Sequence, residues 1–449
     1  MKRYVCVLLV LLPCSAVQSK EYDFNQAYAH LLRVDNTLSA SRRETAVYGF
    51  RKRSAQGLRY PSLGVKGNFS KISDPITIDL NGIRAAVQPL YPSGVTLPDF
   101  ALDVQDEKFF KAQAYASLPI YTGGKITAAV SAASAEYGAA EAKREAVENN
   151  LLVELAAKYF GLLLAERTVQ VRRTFLDNAR QNAEDGAKMF RAGTISHVEK
   201  MAVDVQLAQA KRDYNTAVNN AATAQTLLDS LLAEPEPVRV RTRLFVLPQE
   251  QVPSLALLQQ NAQAKNPVLT LLANKTVLSA AQEKKERAEF LPSVYLFASR
   301  ELYTNDLTIL EPDYAYGVGF AWNLFEGGQS YYKTKAAQEQ THSLELLKAQ
   351  QLTDITTGIE YHYQKMQNAR ETYDALQQEL EFTESFYNAR RLGFKAGTAT
   401  SLEVNMALSQ WLKTRLDSLK AQYEFVTSLA AVLNLSGQPE LFAGYLQGV

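Results

Sequence analysis

The chain has 449 residues, with 48 Lys and Arg against 47 Asp and Glu, for a net charge of +1. So even a balance supplies no strongly basic face for a nucleic acid. Both cysteines, Cys6 and Cys14, fall in the opening segment, so the rest of the chain has no disulfide, thiolate metal site or cysteine nucleophile.

Lys2-Arg3, the apolar run Val5 to Leu12 and the small residues around Val17-Gln18-Ser19 predict an export signal over 1–19. The run is too short to cross a bilayer as a helix. Cys14 is not read as a lipidation site, because Pro13 stands where a small residue is wanted. Loss of Lys2 and Arg3 leaves 46 bases against 47 acids, a net of −1. No later segment is apolar enough for a transmembrane helix, so the exported chain is either soluble or crosses a membrane as β-strands.

Repeat 1 is assigned to 20–232. It opens with a helix from Asp23 to about Arg59, stopped by Pro61. A strand hairpin follows over 62–121. Leu63, Val65, Gly67 and Phe69 alternate with Ser62, Gly64, Lys66, Asn68 and Ser70, and Phe110, Ala112, Ala114, Ala116, Leu118 and Ile120 with polar partners and Tyr115. Between them, residues 71–108 form a long loop whose role as lid, plug, receptor surface or tolerated insertion is open. Gly123-Gly124 leads into a long helix, Lys125 to Arg191, and a return helix runs from Ser196 to Leu232. A proline-marked link spans 233–253.

Repeat 2, over 254–435, has a helix Ser254–Phe290 stopped by Pro292 and a strand hairpin over 293–325. Tyr314, Tyr316, Val318, Phe320, Trp322 and Leu324 alternate with small or polar residues. In Val294–Arg300 the faces are ambiguous, because Tyr295 and Phe297 compete with Val294 and Leu296. Gly327-Gly328 leads into a long helix Gln329–Arg391, then a return helix Thr400–Leu435 and a tail over 436–449.

The two repeats are one design in register. Leu155, Leu162, Val169, Leu176, Ala183 and Phe190 form a heptad row, and Ile359, Met366, Tyr373, Leu380, Tyr387 and Phe394 stand 204 residues beyond them. Such a row marks a supercoiled helix with one seam buried against a neighbour. About 65 residues at 1.5 Å each give a rod of roughly 100 Å. Strands of about ten residues with one aromatic-rich apolar face suit a membrane barrel wall, although a half-buried strand pair in a soluble α+β domain shares the pattern. Four strands cannot close a barrel, and eight leave an interior filled by side chains, so an open pore needs at least three chains.

Each long helix ends at a glycine, Gly193 or Gly397. Ser196-His197-Val198-Glu199 and Thr400-Ser401-Leu402-Glu403 then read as capping boxes. Glu199 and Glu403 are thus either structural caps or acids around a pore mouth, where they would set charge preference. His30, His197, His342 and His362 show no metal-ligand spacing, and no catalytic set stands out, so neither a cofactor nor an enzyme is expected.

The chain resembles the TolC-like outer-membrane efflux protein family (outer membrane factors). The resemblance rests on Asn266-Pro267-Val268, Phe290-Leu291-Pro292-Ser293, Trp322-Asn323-Leu324-Phe325-Glu326-Gly327-Gly328, and the tips Phe190-x-x-Gly193 and Phe394-x-x-Gly397-Thr398. It implies an α+β membrane protein: a homotrimer whose four strands per protomer build a 12-stranded barrel in the outer membrane of a Gram-negative bacterium. Antiparallel helical hairpins would continue it as a tunnel across the periplasm. It also implies docking of the tips (Arg191, Gly193, Thr194, Ser196, Lys395, Gly397, Thr398, Thr400) onto a periplasmic adaptor fed by an inner-membrane transporter of RND or ABC type. The strand–helix corners would be Pro61, Gly123, Gly124, Pro292, Gly327 and Gly328. Ala399 stands where some members carry an arginine that holds the entrance shut. The expected function is passive multidrug efflux or type I secretion; a periplasmic coiled-coil adaptor or a structural protein without a pore is the alternative.

Overall fold

The computed structural model describes residues 20–304 and 312–446; the predicted signal lies outside them. In chain order come β1 (Glu21–Tyr22), α1 (Phe24–Val34), α2 (Asn36–Gly57), β2 (Ser62–Lys71), β3 (Ile76–Asp79), α3 (Asn81–Val87), β4 (Ala101–Gln105) and β5 (Lys108–Tyr121). Then follow α4 (Lys125–Arg191), α5 (His197–Leu232), β6 (Arg239–Val240), α6 (Leu255–Lys265), α7 (Pro267–Ala288), β7 (Ser293–Thr304) and β8 (Tyr314–Ala321). The chain closes with α8 (Gln329–Lys395), α9 (Ser401–Leu435) and α10 (Glu440–Tyr445).

The long helices α4 and α8 have 67 residues each. α8 therefore runs a turn past the expected end at Arg391, to Lys395. The helices expected over Asp23–Arg59 and Ser254–Phe290 are each broken in two. The first breaks at Asp35, whose backbone is extended and whose Oδ1 accepts from the Leu38 amide at 2.6 Å. The second breaks at Asn266, whose Oδ1 accepts from the Val268 amide at 2.9 Å, with Pro267 opening the new helix.

Two compact units share the chain. One comprises Met1–Thr45, Ala140–Leu272 and Leu347–Val449; the other comprises Ala46–Ala139 and Ala273–Leu346. In the first unit a core of Phe24, Leu31, Leu155, Tyr159, Phe160, Ile359, Met366, Phe425 and Phe442 is buried. Phe24 packs edge-on to Tyr159 and Phe442 at 5.5 and 5.1 Å. Phe442 belongs to α10, so the tail carries a core residue. The link across 233–253 wraps this core through β6, which pairs in parallel with β1. Tyr159 fixes that pair: its hydroxyl donates to the Tyr22 carbonyl at 2.8 Å and accepts from the Arg241 and Thr242 amides. A second core of the same unit gathers Phe175, Leu176, Tyr387, Phe394, Val404 and Leu408, with Tyr387 stacked on Trp411 at 5.6 Å. The heptad rows thus supply both cores. Val169, Tyr373 and Leu380 are only half-buried, and Phe190 departs furthest, exposed and leaning on His197 where its counterpart Phe394 is buried.

The second unit holds a four-stranded antiparallel sheet in the order β2-β5-β7-β8. Away from two register irregularities in the β5–β7 pair, its registers sort the side chains to one of two faces. Leu63 pairs with Ala116, Ala116 with Ala298, and Ala298 with Tyr316, which defines an apolar face. Val294 and Leu296 pair with Phe320 and Val318 and belong to it. Tyr295 and Phe297 pair with Gly319 and Gly317 on the other face, which settles the ambiguity in this strand. Residues 71–108 carry structure of their own: β3 pairs antiparallel with β4, and α3 lies between them in sequence.

Candidate functional site: helix tips, strand faces and corners

At the first tip α4 ends on Gly193, whose φ of 73° is the left-handed conformation that glycine adopts without strain. The Gly193 amide donates to the Phe190 carbonyl at 3.0 Å, and the Thr194 amide and hydroxyl both donate to the Met189 carbonyl. Ser196 then caps α5. The Glu199 amide donates to Ser196 Oγ at 3.2 Å, and the Ser196 amide donates to Glu199 Oε2 at 3.0 Å. Arg191 Nε returns to the Ala187 carbonyl of its own helix.

The second tip repeats this design. Gly397 has φ 76°, the Thr398 amide and hydroxyl donate to the Gly393 carbonyl, and Thr400 caps α9. The Glu403 amide donates to Thr400 Oγ1 at 3.3 Å, and the Thr400 amide donates to Glu403 Oε2 at 2.8 Å. Those amide and hydroxyl bonds, and then the charge of Arg390, hold the Glu403 carboxyl below the usual carboxylate range. Arg390 Nη1 lies 3.4 Å from Glu403 Oε1. Among the described residues Glu199 has no such basic partner, because Gly186 stands at the position equivalent to Arg390 and packs against Val203.

The two tips meet along their return helices. Asn405 Nδ2 donates to the Ala202 carbonyl and Gln206 Nε2 to Ser409 Oγ, each at 3.4 Å. Across the long helices, Lys395 pairs with Asp185 at 3.1 Å. Asp185 and Arg390 escaped the sequence reading; only their place within three turns of a tip could have flagged them.

The strand–helix corners are formed in the second unit. Gly123 and Gly124 have φ of 62° and 90°, and a Cβ on Gly123 would lie 2.7 Å from Leu291 Cβ. That residue precedes Pro292, so the end of α7 and the start of α4 are packed through a position where only hydrogen fits. At the other corner Trp322 Nε1 donates to the Phe290 carbonyl at 3.0 Å, while Asn323 and Ser330 both donate to Glu326. Pro61 precedes β2 at an exposed position.

The apolar sheet face is open to its surroundings: Leu63, Val65, Phe69, Tyr316, Val318 and Phe320 are all more than half exposed. A patch of this size on a protein surface marks contact with a partner or a membrane. Among the described residues β2 and β8 are the edge strands of the sheet. No helix among the described residues is long and apolar enough to cross a membrane.

Long paired helices, two repeats and a small sheet with one apolar face define an α+β channel protein. The sequence model for the outer membrane efflux protein family matches residues 29–234 and 258–438, and the chain belongs to that family. It is similar to the cobalt-zinc-cadmium resistance protein CzcC of Cupriavidus metallidurans, 24% identical over 71% of this chain and 75% of that one. It is also similar to the alkaline protease secretion protein AprF of Pseudomonas aeruginosa, 21% identical over 64% of this chain and 61% of that one. The fold matches the outer membrane channel CmeC of Campylobacter jejuni with a TM-score of 0.75, at 16% identity over 93% of this chain and 86% of that one.

The protein is therefore an outer-membrane exit channel of a Gram-negative bacterium that extends into the periplasm, working with a periplasmic adaptor and an inner-membrane pump. The reading as an adaptor or poreless structural protein falls with this membership.

Proposed function

We propose that three copies join their sheets, β8 of one beside β2 of the next, into a closed 12-stranded barrel. The apolar face then meets lipid and the paired helices line a periplasmic tunnel. One observation carries this: each chain holds a sheet with two edge strands and an uncovered apolar face. Neither is stable in a bilayer unless the edges pair and the face meets lipid. Sister copies provide the edges.

In this reading the channel is a passive duct with no chemistry of its own. The tips at Gly193 and Gly397, with Arg191, Thr194, Ser196, Lys395, Thr398 and Thr400, dock the adaptor, and Glu199 and Glu403 ring the periplasmic mouth. Cargo is chosen by the pump, of RND or ABC type. The likeness to CzcC supports metal efflux as one cargo class, and the likeness to AprF supports protein secretion as another.

The test is reconstitution of the purified protein in detergent and then in planar bilayers. The expected result is a trimer that conducts ions, and a monomer without conductance would refute the assembly. Bulky charged substitutions at Gly193 and Gly397 should abolish export while trimers persist; normal export would remove the docking role.

A further inference from the structure

The two buried cores of the first unit leave a gap between them. On α4 the first core ends at Leu163 and the second begins at Phe175; on α8 the corresponding residues are Ala369 and Tyr387. On α9 the second core ends at Leu412 and the first resumes at Phe425. This is the stretch in which the heptad rows lose burial, at Val169, Tyr373 and Leu380. Hydrogen bonds take the place of apolar packing there. Gln377 Nε2 donates to Ser418 Oγ at 3.0 Å, and Thr414 Oγ1 donates to Glu379 Oε1 at 2.9 Å. Polar groups held to such partners keep a seam from closing as an apolar one would. A cavity of about 550 Å³ occupies the gap, walled by α4, α8 and α9.

Its floor is apolar and its rim is charged. Phe175 and Leu412 are buried at the bottom, and Val171, Leu380 and Trp411 are half-buried along the sides. Trp411 stacks on Tyr387 at 5.6 Å with the rings 8° from parallel, which fixes one aromatic wall. The charged lining residues are Arg167, Arg415 and Glu384, all exposed. Arg167 Nη1 donates to the neutral side chain of Gln170 at 3.0 Å. Glu166, beside it in sequence but outside the lining, is half-buried; burial pushes its carboxyl up and the charge of Arg167 pulls it back. Arg415 makes no ion pair among the described residues, so the excess positive charge rests chiefly on it. Small-molecule sites typically enclose about 300–1,000 Å³ of mostly apolar wall with a few placed polar groups, and this cavity has that form.

We propose that this cavity binds an amphipathic aromatic anion, a drug-sized ring system bearing one carboxylate or sulfonate. The rings lie against Phe175, Trp411 and Leu412, and the anionic group meets the guanidiniums of Arg415 and Arg167, whose planar forks suit its oxygens. An organic cation of the same shape meets those guanidiniums unfavourably and has Glu384 alone as a counter-charge. A ligand seated here touches α4 of repeat 1 and both α8 and α9 of repeat 2, so it clamps the repeats together in the stretch where their own seam is weakest. Every wall comes from one chain, so binding requires no sister copy.

The test uses the full-length protein in dodecyl maltoside with two probes that share one ring system, dansylglycine with a carboxylate and dansylcadaverine with an ammonium. The dansyl group accepts excitation energy from tryptophan, and the chain has two tryptophans, Trp322 and Trp411. Dansylglycine should take energy from Trp411 and bind about tenfold more tightly than dansylcadaverine, the factor one charge contact near a protein surface allows. Arg415→Gln should weaken dansylglycine about tenfold and tighten dansylcadaverine. Glu384→Gln should tighten dansylglycine about threefold, a gain that loss of folding cannot imitate. Trp411→Phe should remove the energy transfer while the directly excited probe still reports binding. Equal affinity for the two probes, or dansylglycine affinity that ignores Arg415→Gln, overturns the proposal. Energy transfer that survives Trp411→Phe puts the probe elsewhere and overturns it as well.

Discussion

Lys395 and Asp185 tie the two copies of the repeat together, the lysine of α8 reaching 3.1 Å to the carboxylate of α4. The aspartate side chain is only 13% exposed, so its charge is partly withdrawn from water and depends on this partner. Near the tips this pair joins an acid of repeat 1 to a base of repeat 2. Partly exposed pairs contribute about 0.2–1 kcal/mol. Asp185→Ala or Lys395→Ala should raise resting conductance in bilayers by up to about fivefold, the population shift such an energy allows. Exchanging the two residues should bring conductance back toward wild type; an exchange that behaves like the single variants would remove the pair from any role in holding the tips.

The depressed pKa of Glu403 fixes the direction of a pH effect. Its cap contributes fully above the unfolded carboxyl value of about 4.3 and is lost as pH falls through the lower folded value. Protection of the Glu403 amide, measured against the intrinsic exchange rate at each pH, should therefore hold across the neutral range and fall only in acid. In Glu403→Gln the acid-induced change should vanish. Loss of protection already between pH 6 and 7 would show that another group controls this turn.

Gly123 and Gly327 share one backbone conformation but not one neighbourhood. Alanine at either costs backbone strain of about 1–3 kcal/mol. At Gly123 the new Cβ would also overlap Leu291 and the Ala288 carbonyl, whereas nothing lies within 4 Å at Gly327. Gly123→Ala should lower Tm further than Gly327→Ala. Equal shifts would mean the α7–α4 corner relaxes freely.

Glu234 anchors the first described residues. Its carboxylate receives Lys20 Nζ at 2.8 and 2.9 Å and the Tyr22 hydroxyl at 2.9 Å, with His30 Nε2 at 3.2 Å. The Lys20 bond is the chief reason its carboxyl titrates below the usual range. Glu234→Ala should release β1 from β6, which limited trypsin digestion would read as faster cleavage after Arg239 and Arg241. Unchanged cleavage would assign the anchoring to the Tyr159 hydrogen bonds.

Much of this was legible because periodicity is a local property. The heptad rows located α4 and α8, and the hydroxyl–acid spacing located both capping boxes. The breaks at Asp35 and Asn266 were harder, since helical patterning resumes on either side of one extended residue. Tyr295 and Phe297 could not be assigned a face from their own strand, because the answer lay in Gly317 and Gly319 of the next. The pairing of Asp185 with Lys395, 210 positions apart, belongs to packing alone. So does the cavity rimmed by Arg167, Glu384 and Arg415, which three separate helices enclose.

Opposite Tyr115, Tyr295 and Phe297 the sheet places Gly64, Gly319 and Gly317, and a Cβ at Gly319 would come within 2.4 Å of the Tyr295 ring. The rings lie flat because nothing underneath props them up. In the trimer proposed above, the calibre of the passage would be governed by hydrogen atoms on the wall, and a single added methyl at Gly319 would tilt three tyrosines toward the axis at once. Bore could be narrowed stepwise, by drift at the smallest residues, with the aromatic lining left intact.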